Sequence, residues 1–117
     1  MAIIETEKAL ERFDNEKDIY LELIVTFLAL PPPDFAEMRK ELEKGRTVEA
    51  VHRMHQLKGA VLTLGAEQLA ASASLLENGL RNGTGPELFR VLEQIEAEYP
   101  EVLRELAAVR DTLQKQP

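Results

Sequence analysis

Apolar residues recur at helical spacing along nearly the whole chain, and the alternating pattern of a half-buried strand is almost missing. Clear stops divide that periodicity, so the chain reads as successive helices rather than as one long coil. A short first helix is predicted from about Thr6 to Phe13, with Asp14 or Asn15 capping the next. The second places Tyr20, Leu23, Ile24, Phe27 and Leu28 on one stripe, and Pro31, Pro32 and Pro33 end it. Asp34 with Glu37 resembles a capping box that starts a third helix, whose apolar side is Phe35, Met38 and Leu42 and which Gly45 stops. Thr47 is the expected cap of a fourth helix, Val48 to about Leu64, closed by Gly65. A fifth runs from about Glu67 to Arg81 with Leu69, Ala73, Leu76 and Leu80 on its core face. Asn82, Gly83, Thr84 and Gly85 form a turn, and Pro86 suits the first position of the last helix. That helix carries Leu88, Leu92, Ile95, Tyr99, Leu103, Leu106 and Leu113, and Pro100 inside it predicts a kink or local break. The last four long helices with short turns predict an all-α fold, an antiparallel four-helix bundle with one or two additional N-terminal helices packed on one end.

No linker or internal repeat interrupts the chain, so residues 1–117 are expected to form one domain. The longest apolar candidate, Ile19 to Leu30, is broken by Glu22 and Thr26, which argues against a membrane span. The N-terminus lacks the basic-then-apolar pattern of a signal peptide. With no cysteine the chain has no disulfide, no thiolate metal site and no cysteine nucleophile, and it fits a reducing cytoplasm. The net charge of -7 repels phosphate backbones and argues against a nucleic-acid partner.

Both histidines fall on the fourth helix. At roughly 100° per residue, Ala50, Met54, Leu57, Val61 and Leu64 share the core face. His52 lies roughly 160° from Met54, among Glu49, Arg53, Gln56 and Thr63, whereas His55 lies roughly 100° away, at the border. Around His55 stand Val48, Val51 and Leu62, which extend the apolar arc beyond one core face and suggest a docking patch. Gly59 follows one turn later, although glycine inside a helix costs about 1 kcal/mol relative to alanine, and it would leave the imidazole unobstructed. Lys58, three residues on, can neutralise charge placed on the ring. Phosphoryl transfer to nitrogen needs those parts: an unprotonated ring nitrogen, in-line approach and a nearby cation. On the wheel alone, a surface histidine with a tolerated glycine is the slightly favoured reading.

The run His55-Gln56-Leu57-Lys58-Gly59, followed by Leu64-Gly65-Ala66, Leu69, Leu76 and Glu77, resembles the signature of histidine-containing phosphotransfer (HPt) domains. The likeness extends from roughly Ala9 to Leu113 and includes the helix order. It implies that His55 is the phosphoacceptor, that Lys58 supports the phosphoryl group and that Gly59 clears space. Glu77 occupies the position that can orient the ring from the next helix, where some members have glutamine; an exposed glutamate at a helix border is the alternative. The resemblance further implies a shuttle between receiver domains of response regulators, fed by a hybrid histidine kinase, that docks both partners through Val48, Val51 and Leu62. Such a carrier is not an enzyme with its own ATP site. It needs no cofactor or metal of its own, since the magnesium ion belongs to the receiver. A cytoplasmic monomer is expected, because every amphipathic face has an intrachain partner.

Four rival readings are weaker. A di-metal bundle would use Glu49 and His52 as a Glu-x-x-His pair, but no histidine exists elsewhere to complete the second half. A dimerising kinase helix would carry an acidic residue and then a threonine or asparagine where Gln56 and Gly59 stand, and no glycine-rich nucleotide motif is present. The phosphoacceptor domain of a chemotaxis-type kinase has a similar histidine motif but is normally fused to its kinase, whereas Met1 and Pro117 suggest a free-standing chain. A non-catalytic helical adaptor would keep the shape without the chemistry.

Overall fold

The computed structural model describes residues 2–83 and 85–116. Thr84, in the expected turn, and the terminal Met1 and Pro117 lie outside the described residues. Six helices account for most of the rest: α1 (Thr6–Arg12), α2 (Lys17–Ala29), α3 (Phe35–Glu43), α4 (Val48–Leu64), α5 (Glu67–Arg81) and α6 (Pro86–Lys115). Their inward faces supply a continuous core in which Tyr20, Ile24, Met54, Val61, Leu69, Leu76, Leu92 and Ile95 are fully enclosed. Removing each such side chain from water contributes about 1.5–3 kcal/mol, and this burial, more than helix propensity, holds the elements together.

The fold is the expected antiparallel bundle, with a different fourth side. Helices α4, α5 and α6 form three sides, and α2, not α3 alone, supplies the fourth. Helix α2 runs antiparallel to α6: Lys17 Nζ donates to Gln116 Oε1 at 2.8 Å, and the Phe27 and Tyr99 rings meet 6.3 Å apart. After the prolines α3 continues that wall, with Phe35 edge-on to Tyr99 and Arg39 paired to Glu96. The long α6 thus serves as the spine of a rod measuring 52 × 23 × 22 Å. Pro100 lies within α6, and the helix continues through it without a local break. Pro100 itself is exposed.

Two caps differ from expectation. Asp14 and Asn15 do not cap α2; they adopt left-handed φ angles of 51° and 60° and terminate α1. The Asn15 amide donates to Leu10 O at 2.8 Å, satisfying a carbonyl that the end of the helix leaves free. Glu16 takes the cap position of α2 and Thr47 that of α4, and neither side chain caps its helix. Asp34 does cap α3, accepting from the Glu37 amide at 3.0 Å. Leu23, expected in the core stripe, is exposed on the outer edge of α2.

The C-terminal end of α4 is pinned from several directions. Gly65 stands at φ 98° and reverses the chain into α5 through Ala66 alone. The Glu5 amide donates to Gly65 O at 2.8 Å, and the buried Tyr20 hydroxyl donates to Leu64 O at 2.7 Å. Arg12 donates to Leu62 O. Carbonyls that a helix end would leave unpaired are therefore satisfied by α1 and α2.

A Cβ at Gly65 would stand 2.9 Å from Glu5 O and 3.2 Å from Ala9 Cβ, whereas one at Gly45, also left-handed at φ +73°, would meet nothing within 4 Å. Gly45→Ala should therefore lose only the backbone cost of about 1–2 kcal/mol. Gly65→Ala should lose clearly more, read as the difference in urea unfolding followed by circular dichroism. Equal losses would show that α1 does not pack tightly on this turn.

Candidate functional site

His55 and Glu77 face each other because α4 and α5 form a tight hairpin. His55 lies ten residues before Gly65 and Glu77 twelve after it. At about 1.5 Å per residue both stand at nearly the same height above the turn. Met54, Leu57 and Val61 fill the core side of α4, which leaves His55 at the rim with its side chain 62% exposed. The Glu77 side chain is 4% exposed, so the carboxylate is a buried charge and not the exposed border residue of the alternative reading.

Three basic groups surround that carboxylate. His55 Nδ1 lies 3.2 Å from Glu77 Oε2. Arg81, one turn further along α5, donates to the same Oε2 from Nη2 at 2.8 Å and from Nε at 3.2 Å. Lys58 Nζ approaches Oε1 at 3.3 Å as a charge, without hydrogen-bond geometry, and Oε1 has no other partner among the described residues. Burial alone would favour the neutral acid, but the Arg81 hydrogen bonds dominate, and with Lys58 and His55 they hold the Glu77 pKa down at about 2. An ionised carboxylate only accepts hydrogen bonds, so the ring nitrogen facing it must carry the proton. In the neutral imidazole this leaves the Nε2 lone pair as the free, nucleophilic position.

The hairpin thus brings His55, Lys58, Gly59 and Glu77 into one cluster. An added Cβ at Gly59 would meet nothing within 4 Å, so no packing inside the chain calls for a glycine there. The three apolar residues expected around His55 do not form one exposed patch. Val48 is 84% and Leu62 41% exposed, each two turns from His55 on opposite sides, while Val51 is half-buried against the core. His52 is exposed on the polar side of α4. No group of three or more potential metal ligands occurs among the described residues.

Sequence reasoning missed two features. Arg81 carries the strongest contact to Glu77, and the signal was its i, i+4 spacing on α5. The other is a groove between α2 and α4, lined by Leu23, Phe27, Leu30, Ala60 and Thr63, on the side of α4 that faces α2 rather than α5. The exposed Leu23 and Leu30 hinted at it, but only the packing of α2 on α4 shows where they lie.

Two outcomes follow from this geometry. Gly59→Ala should raise stability by up to about 1 kcal/mol, as an unobstructed helical alanine does, and a loss of stability in thermal unfolding would contradict the open space at this position. The depressed Glu77 carboxyl stabilises the fold most above its ordinary value of 4.5, and that contribution disappears as pH falls toward 2. The gap in stability between wild type and Glu77→Gln should therefore close over that interval. A gap that persists at pH 2 would mean that the carboxylate charge is not what matters.

A family model described as the Hpt domain matches residues 22–112 of the chain, from within α2 to near the end of α6, and covers every residue of the cluster. Comparison with curated proteins and with solved structures finds no significant match. No helix among the described residues is long and apolar enough to cross a membrane. Hpt domains are helical phosphocarrier modules of phosphorelays, working with receivers and kinases and lacking a kinase ATP site of their own. By its sequence match and its helical bundle, this chain belongs to the Hpt domain family.

Proposed function

We propose that the chain, acting as one domain over residues 1–117, shuttles a phosphoryl group between two receiver-domain aspartates through Nε2 of His55. The observation that carries this reading is the division of labour on the ring: Nδ1 is tied to a buried, ionised Glu77, and the exposed side chain presents the other nitrogen outward. The Nε2 lone pair attacks phosphorus, the bond from phosphorus to the aspartyl oxygen breaks, and the receiver carboxylate leaves with the electron pair. The ring then carries a positive charge with the proton still on Nδ1, and the Glu77 carboxylate stabilises it. Attack by another receiver's aspartate at the same phosphorus reverses the step and restores the neutral ring.

Lys58 is the cation nearest to hand for the arriving phosphoryl group, which carries a charge of about -1.5 to -2 at neutral pH. Moving toward it would require Lys58 to give up only a charge contact to Glu77, because Arg81 retains the carboxylate. Gly59 leaves room on the C-terminal side of the ring for a partner's surface. Val48 and Leu62 would lie at opposite ends of the footprint. This reading carries with it a monomeric carrier in the cytoplasm, where receivers and their kinases operate.

The test mixes wild type, His55→Gln and His52→Gln with receiver domains prephosphorylated by a small-molecule donor and magnesium. Acid-labile, alkali-stable label on wild type and His52→Gln, absent from His55→Gln, is the expected result. Label surviving in His55→Gln would move the acceptor to His52. Folded protein that takes no label from any receiver would favour an adaptor, or an acceptor domain specific to a chemotaxis-type kinase. Gly59→Ala, although at least as stable as wild type, should take up label more slowly, and an unchanged rate would remove the access role of Gly59.

A further inference from the structure

Arg81 is an odd member of the cluster. It ends α5, where a cation already suits the helix dipole, and its side chain is 56% exposed. In an ordinary surface pair at i, i+4 spacing both partners are solvated and the contact decides little. Here the carboxylate is buried, and the oxygen that Arg81 holds is the one that faces the histidine. Oε2 takes Arg81 Nη2 at 2.8 Å, Arg81 Nε at 3.2 Å and His55 Nδ1 at 3.2 Å, so the guanidinium is its nearer and doubly bonded partner.

We propose that Arg81 is a positioning residue that sets the nucleophilicity of His55 through the one Glu77 oxygen they share. The inference rests on His55 being the phosphoacceptor. A buried carboxylate beside an imidazole orients the ring but also favours its protonated form, and an imidazolium has no lone pair on Nε2. The guanidinium draws on the same oxygen, so Glu77 keeps the power to orient the ring while its pull on a second ring proton is reduced. Once phosphorus is bound and the ring is cationic, the same Nδ1 contact strengthens without any rearrangement. The charged groups that bear on the ring are Lys58 and, one turn earlier, His52 from α4, with Glu77 and Arg81 from α5.

The experiment follows the His55 ring nitrogens by 15N NMR through a pH titration of the unphosphorylated protein, in wild type, Arg81→Gln, Arg81→Lys, Glu77→Gln and the double variant Glu77→Gln/Arg81→Gln. Arg81→Gln should move the His55 titration midpoint upward relative to wild type. The rising limb of the pH profile of label uptake should move the same way, so that uptake falls several-fold on the acid side and is unchanged on the alkaline side. Arg81→Lys should restore most of both. In the Glu77→Gln background the effect of Arg81→Gln should shrink to a minor fraction. A midpoint that stays or falls in Arg81→Gln overturns the proposal, and so does an equal shift with and without Glu77, which would mean direct repulsion across space. The NMR titration does not depend on transfer. A midpoint that moves as expected in a protein that takes no label at His55 would therefore sink the shuttle reading and with it the acceptor role, while the coupling through the shared oxygen would stand.

Discussion

The reversal at Gly65 sets the register on which the site depends. An αα-hairpin with a connection this short has little freedom to slide, so residues equidistant from the turn must meet. The left-handed glycine makes the turn possible, and the Glu5 amide, the Tyr20 hydroxyl and Arg12 secure it from the neighbouring helices. These contacts also explain the role of the short α1. It adds little to the core, yet it closes over the end of α4 with Ala9 fully buried against the turn. A shift of one residue in either helix would rotate Glu77 by roughly 100° and move it from the hairpin seam to another face.

Within that register the buried carboxylate organises the surface above it. A lone ionised group in an apolar seam would be expelled or protonated. Glu77 escapes both outcomes because Arg81, Lys58 and His55 converge on it. The cluster holds two permanent cations against one carboxylate, a locally positive spot on a chain whose net charge is -7. That contrast suits an incoming phosphoryl group.

The same region is built for access as well as for charge. Gly59 forgoes helix stability with no internal packing to justify it. That choice costs the isolated domain something and becomes intelligible if a second protein covers this face during transfer. The core beneath is conventional by comparison. Its leucines, isoleucines and aromatic rings keep α4 rigid, so that the rim side chains need little reordering when a partner arrives.

Much of this was legible in the sequence because helix periodicity and punctuation are local properties. The limits of α4 and α5, the border position of His55 and the tie of Lys58, Gly59 and Glu77 to the phosphotransfer motif follow from residue order alone. Other features depend on what packs against what. Asp14 and Asn15 look like caps for the following helix, yet they adopt left-handed geometry and bond the free carbonyls at the end of the preceding one. The prolines announce a break, but only α6, long enough to receive both pieces, makes α2 and α3 one wall. A glutamate at a helix border can be solvated or buried with equal ease on the wheel. The height of α4 beside α5 decided that Glu77 is enclosed and faces His55, because burial belongs to the space between two helices and periodicity describes only one.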